Sequence, residues 1–249
     1  MRIIISPAKK MNVDADSLPC HQLPQFLPET VQLMLAMQRM SDSELQTLWK
    51  CNDAIAKLNV TRLRTMNLEK NLTPAILAYE GIQYQRMAPG IFTYKEFDYI
   101  QEHLRILSGF YGLLRPFDGV VPYRLEMQAK LRAGSYPNLY AFWGDKLAGQ
   151  LVPETDWIVN LASKEYSKAV TAYLPETVRV LTCTFGEWKS GKVVEKGTLC
   201  KMARGQMVRW LAENHITACE DIKAFSDYGY AYDARCSTSN HYVFIKGGH

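Results

Sequence analysis

The sequence predicts an α+β (mixed α/β) domain: a mixed sheet flanked by helices. Three observations carry this. A β-branched run, Arg2-Ile3-Ile4-Ile5-Ser6, opens the chain and is stopped by Pro7. Helix-start signals crowd the first half. Compact apolar runs and an alternating hairpin pattern gather in the second half. At 249 residues the chain can bury a substantial core, and no internal repeat, linker or low-complexity stretch divides it. Residues 1–249 therefore read as a single domain.

The elements follow in order. Residues 2–6 make a first strand, and 11–27 a polar, proline-punctuated loop. A helix starts near Pro28 with Val31, Met34 and Leu35 on one face. Ser41-Asp42-Ser43-Glu44 is a capping box for a helix carrying Leu45 and Leu48. Residues 52–66 form another helix, with Ile55, Leu58 and Leu63 as its apolar side. Thr73-Pro74 supplies an N-cap and an N1 proline for a short helix over 75–78, which Gly81 stops. Phe97, Ile100, Leu104 and Leu107 keep helical spacing into Ser108-Gly109-Phe110-Tyr111-Gly112. Residues 139–151 read as a helix and Trp157 to Leu161 as a buried strand. Ser163 is placed to cap a helix bearing Tyr166 and Val170. Residues 179–195 form a hairpin closing at Ser190-Gly191. Thr198 opens a long amphipathic helix with Leu199, Met202, Met207, Trp210 and Leu211. Residues 228–232 and 242–245 are the last strands.

Composition excludes several classes. Hydrophobic content is 47% and charged content 22%, ordinary for a globular chain. Net charge is only +4, so anion binding must come from clustered cations rather than bulk charge. No apolar stretch is long enough to span a bilayer, and the opening apolar run is too short for an export signal. The six cysteines form no C-x-x-C pair. These features predict a cytoplasmic protein with no membrane association.

Five polar constellations are candidates for function. Ser6-Pro7-Ala8-Lys9-Lys10 puts a hydroxyl and two ammonium groups just past the first strand, where sheet folds gather ligands; it equally fits a solvated loop. Ser108, Gly109 and Gly112, followed by Arg115 and Arg124, loosely match a helix-hairpin-helix whose glycine turn offers backbone N–H groups to a phosphate. Pro116 and Pro122 prevent a long second helix. Tyr123-Arg124-Leu125-Glu126 is a ligand site or a semi-buried ion pair. Asn160, Ser163 and Lys164 follow a buried strand and open a helix, where Ser163 serves an anion or simply caps. Lys201, Arg204 and Arg209 share an arc of roughly 140° on one helix. Gly205, costly inside a helix by about 1 kcal/mol, signals a close approach to the backbone. Metal signals are poor: His215 and Cys219 lie at i, i+4, and the other histidines (His21, His103, His241, His249) have no ligand spacing. No metal and no cofactor is expected. No nucleophile elbow is present.

Six motifs stand in order: I-S-P-A-K-K-M, L-S-G-F-Y-G-L-L-R-P, P-Y-R-L-E-M, F-W-G-D, N-L-A-S-K-E-Y and M-A-R-G-Q-M-V-R. Together they resemble the YaaA family of bacterial cytosolic peroxide-stress proteins, over essentially the full length. The resemblance implies a single-domain α/β arrangement with a positively charged cleft and a helix-hairpin-helix-like element. It implies binding of double-stranded DNA and a role in limiting damage by peroxide and free iron. By position, the hairpin is Ser108 to Gly112, and the cleft cations are Lys9, Arg115, Arg124, Lys164, Lys201, Arg204 and Arg209. Lys10, where related sequences often carry Thr, and Tyr79-Glu80-Gly81 depart from the pattern. A competing reading is an enzyme acting on a nucleotide or nucleobase in a pocket lined by Lys9, Arg124, Glu126 and Asn160. A small anionic ligand fits either reading. Convergence on a nucleotide-sized pocket favours the enzyme; spread along a duplex-wide groove favours binding.

Overall fold

The computed structural model describes residues 1–14 and 16–247; His249 lies outside them. The first half runs through β1 (Arg2–Ile5), β2 (Lys10–Met11), α1 (Leu27–Gln38), α2 (Asp42–Trp49), α3 (Asp53–Arg64), β3 (Thr73–Pro74), α4 (Ala75–Ala78), β4 (Tyr79–Glu80), α5 (Ile82–Met87) and α6 (Tyr94–His103). The next stretch holds β5 (Leu104–Ser108), β6 (Gly112–Leu114), β7 (Gly119–Val120), α7 (Leu139–Trp143), α8 (Lys146–Leu151), β8 (Trp157–Asn160) and α9 (Lys164–Thr171). It ends with β9 (Arg179–Lys189), β10 (Lys192–Val194), α10 (Gly197–Glu213), β11 (Tyr230–Tyr232) and β12 (His241–Lys246).

Among the described residues, eight strands build one mixed sheet in the order β11-β12-β9-β8-β1-β5-β6, with β10 attached to β9. Strands β12, β9, β8, β1 and β5 are parallel, and β11 and β6 are antiparallel edges. This is the mixed sheet flanked by helices that the sequence predicts. β1 sits near the middle, and Ile3, Ile4 and Ile5 are all fully buried. Such a run suits a parallel strand covered on both faces, here by α6 and α9. Among the described residues no helix is long and apolar enough to cross a membrane.

Several expectations are corrected. The helical spacing through Leu107 hides a switch: α6 ends at His103, and Leu104, Arg105 and Ile106 pair with Ile3, Ile4 and Ile5. Every residue of β5 is buried, so no polar face marks it as a strand rather than a helix. The helix-hairpin-helix-like element is therefore a β-hairpin, in which Ser108 faces Gly112 across β5 and β6. In α3, Ala56, Asn59 and Leu63 are buried, while Ile55 and Leu58 are exposed. Gly144, at φ +49°, breaks 139–151 into α7 and α8. The short helix over 75–78 forms as expected, but Pro74, not Thr73, stands at its N-cap, and the two residues pair with Val120 and Gly119. The capping box of α2 forms as read, with the Ser41 and Glu44 side chains each reaching the other's N–H.

Candidate functional site

The sheet brings the carboxyl ends of β1 and β8 side by side, and the two serines beyond them meet. Ser6 Oγ accepts the Ser163 backbone N–H at 2.9 Å and lies 3.2 Å from Ser163 Oγ. Ser163 thus stands at the N-cap of α9 without capping it by its own side chain. After Ser6 the chain runs into β2, where Lys10 lies opposite Glu80 of β4. Their side chains form a 2.7 Å ion pair.

A third wall comes from 123–127, which passes across the β5–β6 turn. A Cβ on Gly109 would lie 2.6 Å from the Leu125 carbonyl oxygen. Only glycine lets this segment approach closely enough to deliver Arg124 and Glu126. The fourth wall is α10 packed on α5. A Cβ on Gly205 would lie 2.0 Å from the Gln83 carbonyl oxygen. The close approach signalled by Gly205 is thus a helix–helix contact, and it turns Lys201 and Arg204 toward Gln83 and Tyr84.

These walls enclose a cavity of about 360 Å³, at the small end of ligand-pocket size. Six of the residues expected to bind an anion line it: Ser6, Lys9, Arg124, Ser163, Lys201 and Arg204. Glu80, Glu126 and Glu165 share it. Five cations, counting Lys10, face three carboxylates, which leaves two positive charges in excess. Lys9 Nζ is 2.9 Å from Glu126, and Arg124 is 3.8 Å from the same carboxylate. Among the described residues, neither Lys201 nor Arg204 has a carboxylate within ion-pair distance. The Nε atoms of Arg124 and Arg204 and the Nε2 of Gln83 are buried and donate to nothing. Orphaned buried donors are rare in folded proteins and call for a partner. The Arg124 side chain is only 10% exposed.

Tyrosines floor the cavity. Tyr84 OH donates to the Ser6 carbonyl oxygen at 2.9 Å. Tyr123 OH bonds Ser108 Oγ at 2.6 Å and Tyr79 OH at 2.8 Å. Burial pushes the Tyr123 phenol up to about 12, so it stays protonated. Burial also lifts the Glu165 carboxyl above its ordinary value; the Gln128 N–H opposes this, and the neighbouring Glu126 charge adds to it.

The remaining expected residues lie elsewhere. Ser108 Oγ accepts the Phe110 and Tyr111 N–H groups at 3.1 and 2.9 Å. Ser108, Phe110 and Tyr111 are fully buried. The anion-gripping turn is thereby corrected: its amides are occupied inside the core. Of its two glycines only Gly112 has positive φ, +75°. Arg115 follows β6 to the opposite end of the sheet, where it lies 3.6 Å from Glu154. Arg209 pairs with Glu213 one turn along α10. Lys164 is exposed and outside the cavity. Asn160 is also outside it, its amide oxygen accepting the Ala162 N–H. Sequence reasoning missed Gln83, Tyr84 and Glu165 as cavity residues. The one signal was Gly205, which announces a close neighbour without identifying it. Among the described residues no three His, Cys, Asp or Glu side chains gather as a metal site.

The sequence model of a family described as peroxide stress protein YaaA matches residues 1–236. A UPF0246 protein of Pediococcus pentosaceus is 52% identical over 246 residues, covering 99% of this chain and 98% of its own. One of Lachnoclostridium phytofermentans is 51% identical over 247 residues, covering 99% and 97%.

Proposed function

The chain belongs to the family described as peroxide stress protein YaaA, and from this premise we propose that it binds double-stranded DNA, seating one nucleotide unit at the cation-lined cavity. A peroxide-stress role follows from the family's name; the DNA reading rests on the cavity. One observation carries it. Arg124, Lys201 and Arg204, from segments far apart in sequence, line one cavity, and both arginines keep a buried, unpartnered Nε. A phosphate supplies the acceptors those donors lack, and arginine suits it as a planar, permanently charged fork. Contacts of this kind fix position without reading sequence. Covering the backbone would keep iron-borne oxidants away from it.

The test is affinity for duplex DNA across a salt series. Each phosphate neutralised adds about −0.9 to the log–log slope, so one seated nucleotide unit gives about −0.9 or steeper. A flat response removes the phosphate reading.

The carboxylates favour a second reading, an enzyme acting on a nucleotide or nucleobase. Lys9 and Arg124 lie 2.9 and 3.8 Å from Glu126, while burial raises the carboxyl of Glu165 beside it. Two neighbouring carboxyl groups in such different surroundings suit a base and an acid. Convergence on a compact cavity, rather than spread along a duplex-wide groove, also supports this reading. Incubation with nucleotides and oligonucleotides, read by chromatography, tests it: products that vanish in Glu165→Gln support catalysis, and unchanged substrates with the wild type exclude it for those compounds.

A further inference from the structure

We propose that the β9–β10 hairpin is a β-ribbon arm that enters the major groove of the duplex whose backbone the cavity holds. The inference rests on the DNA reading and extends it to a second, separate surface. β9 runs parallel to β8 and β1, so its end lies on the same side of the sheet as Ser6 and Ser163. It pairs with β12 only through Gly186. From Glu187 onward it has β10 alone as partner, so the ribbon extends past the sheet. Ser190 and Gly191, at φ +51° and +77°, close it with the tight mirror-image turn that matches strand twist.

The chemistry at the tip is unusual for a solvated hairpin. Lys189 stands directly opposite Lys192, both exposed, and like charges placed so repel and destabilise the pair. A polyanion converts that repulsion into attraction. The adjacent pair, Trp188 and Val193, points to the other face, where Trp188 is 44% exposed. Lys196 is already paired with Glu187 at 2.6 Å, which leaves the two tip lysines as the arm's uncommitted cations; the exposed Glu195 lies at its base. α10 starts immediately after the arm, at Gly197, and reaches Arg204 two turns on. Arm and cavity are therefore joined by one rigid element. A two-stranded ribbon fits the major groove, with side chains of both faces meeting its walls. The lysines then meet one strand's phosphates, and Trp188 faces the other.

The experiment compares wild type, Lys189→Gln/Lys192→Gln and Arg204→Ala. Each is titrated with labelled duplex DNA over a salt series and with deoxyadenosine monophosphate. The double variant is expected to flatten the duplex salt slope by about 1 per lysine and to leave mononucleotide affinity unchanged. Methyl green, a major-groove binder, is expected to compete with the wild type, and netropsin, a minor-groove binder, is not. An unchanged slope, or competition by netropsin alone, overturns the arm while the cavity reading stands. Arg204→Ala weakens both ligands if the cavity reading holds; if the wild type binds neither ligand, that reading falls and takes the arm with it. Removing facing like charges relieves the hairpin, so the variant stays folded, as circular dichroism would register.

Discussion

Gly205 of α10 lies against the backbone of Gln83 of α5, where an added methyl group would sit 2.0 Å from the Gln83 carbonyl oxygen. No side-chain rotation relieves a clash with backbone. Gly205→Ala should therefore push the helices apart and cost about 1–3 kcal/mol or more, although alanine favours helix. Urea unfolding reads the loss. Because Arg204 adjoins the contact, DNA affinity should fall as well.

Gly109→Ala meets a similar obstacle, 2.6 Å from the Leu125 carbonyl oxygen. The 123–127 segment must lift, and Arg124 and Glu126 move with it. The expected result is a lower melting temperature together with weaker DNA binding. Full binding in a folded variant would show that the segment's position is unimportant to the site.

Ser108→Ala removes the acceptor of the Phe110 and Tyr111 amides and a partner of Tyr123. Orphaned buried donors cost about 1–3 kcal/mol each. The salt slope of DNA binding should stay as in wild type, since the serine touches no ligand. A changed slope with unchanged stability would restore the turn as a phosphate contact.

Arg204→Ala should weaken binding to all duplex sequences alike and reduce the salt slope by about 1. Filter binding with several unrelated duplexes decides this. A loss confined to one sequence would point to base reading instead.

Asp118 gives a pH signature. Burial raises its carboxyl from 3.8 to about 6, opposed by the Arg115 N–H and the Gln22 amide. The folded state therefore keeps a proton that the unfolded chain releases. The contribution of Asp118 to stability should be full below about pH 4, be lost as pH rises toward 6, and level off above, opposite to that of carboxylates held low such as Glu154. The difference is on the order of 2–3 kcal/mol. Asp118→Asn should flatten this stretch of a pH series of urea midpoints.

Much of the architecture was legible because it depends on local signals. Pro7 ends a β-branched strand, Ser41 and Glu44 make a capping box, and Ser190-Gly191 closes a hairpin. Errors gathered where burial is complete. Leu104 to Leu107 lie in a strand enclosed on every side, and periodicity says nothing when no side chain faces water. The site was half legible. Ser6, Lys9, Arg124, Ser163, Lys201 and Arg204 do converge. Arg115 and Arg209 looked the same in sequence and instead pair with Glu154 and Glu213.

The sequence alone determined the family, the α/β class and the supply of cations at strand ends and on one helix, since composition, caps and motif order are written in consecutive residues. Tertiary structure decided which of those cations share a cavity and which are neutralised by an acid. It also decided that the glycine turn serves packing. Those outcomes depend on strand order and on the close approaches at Gly109 and Gly205, which join segments far apart along the chain.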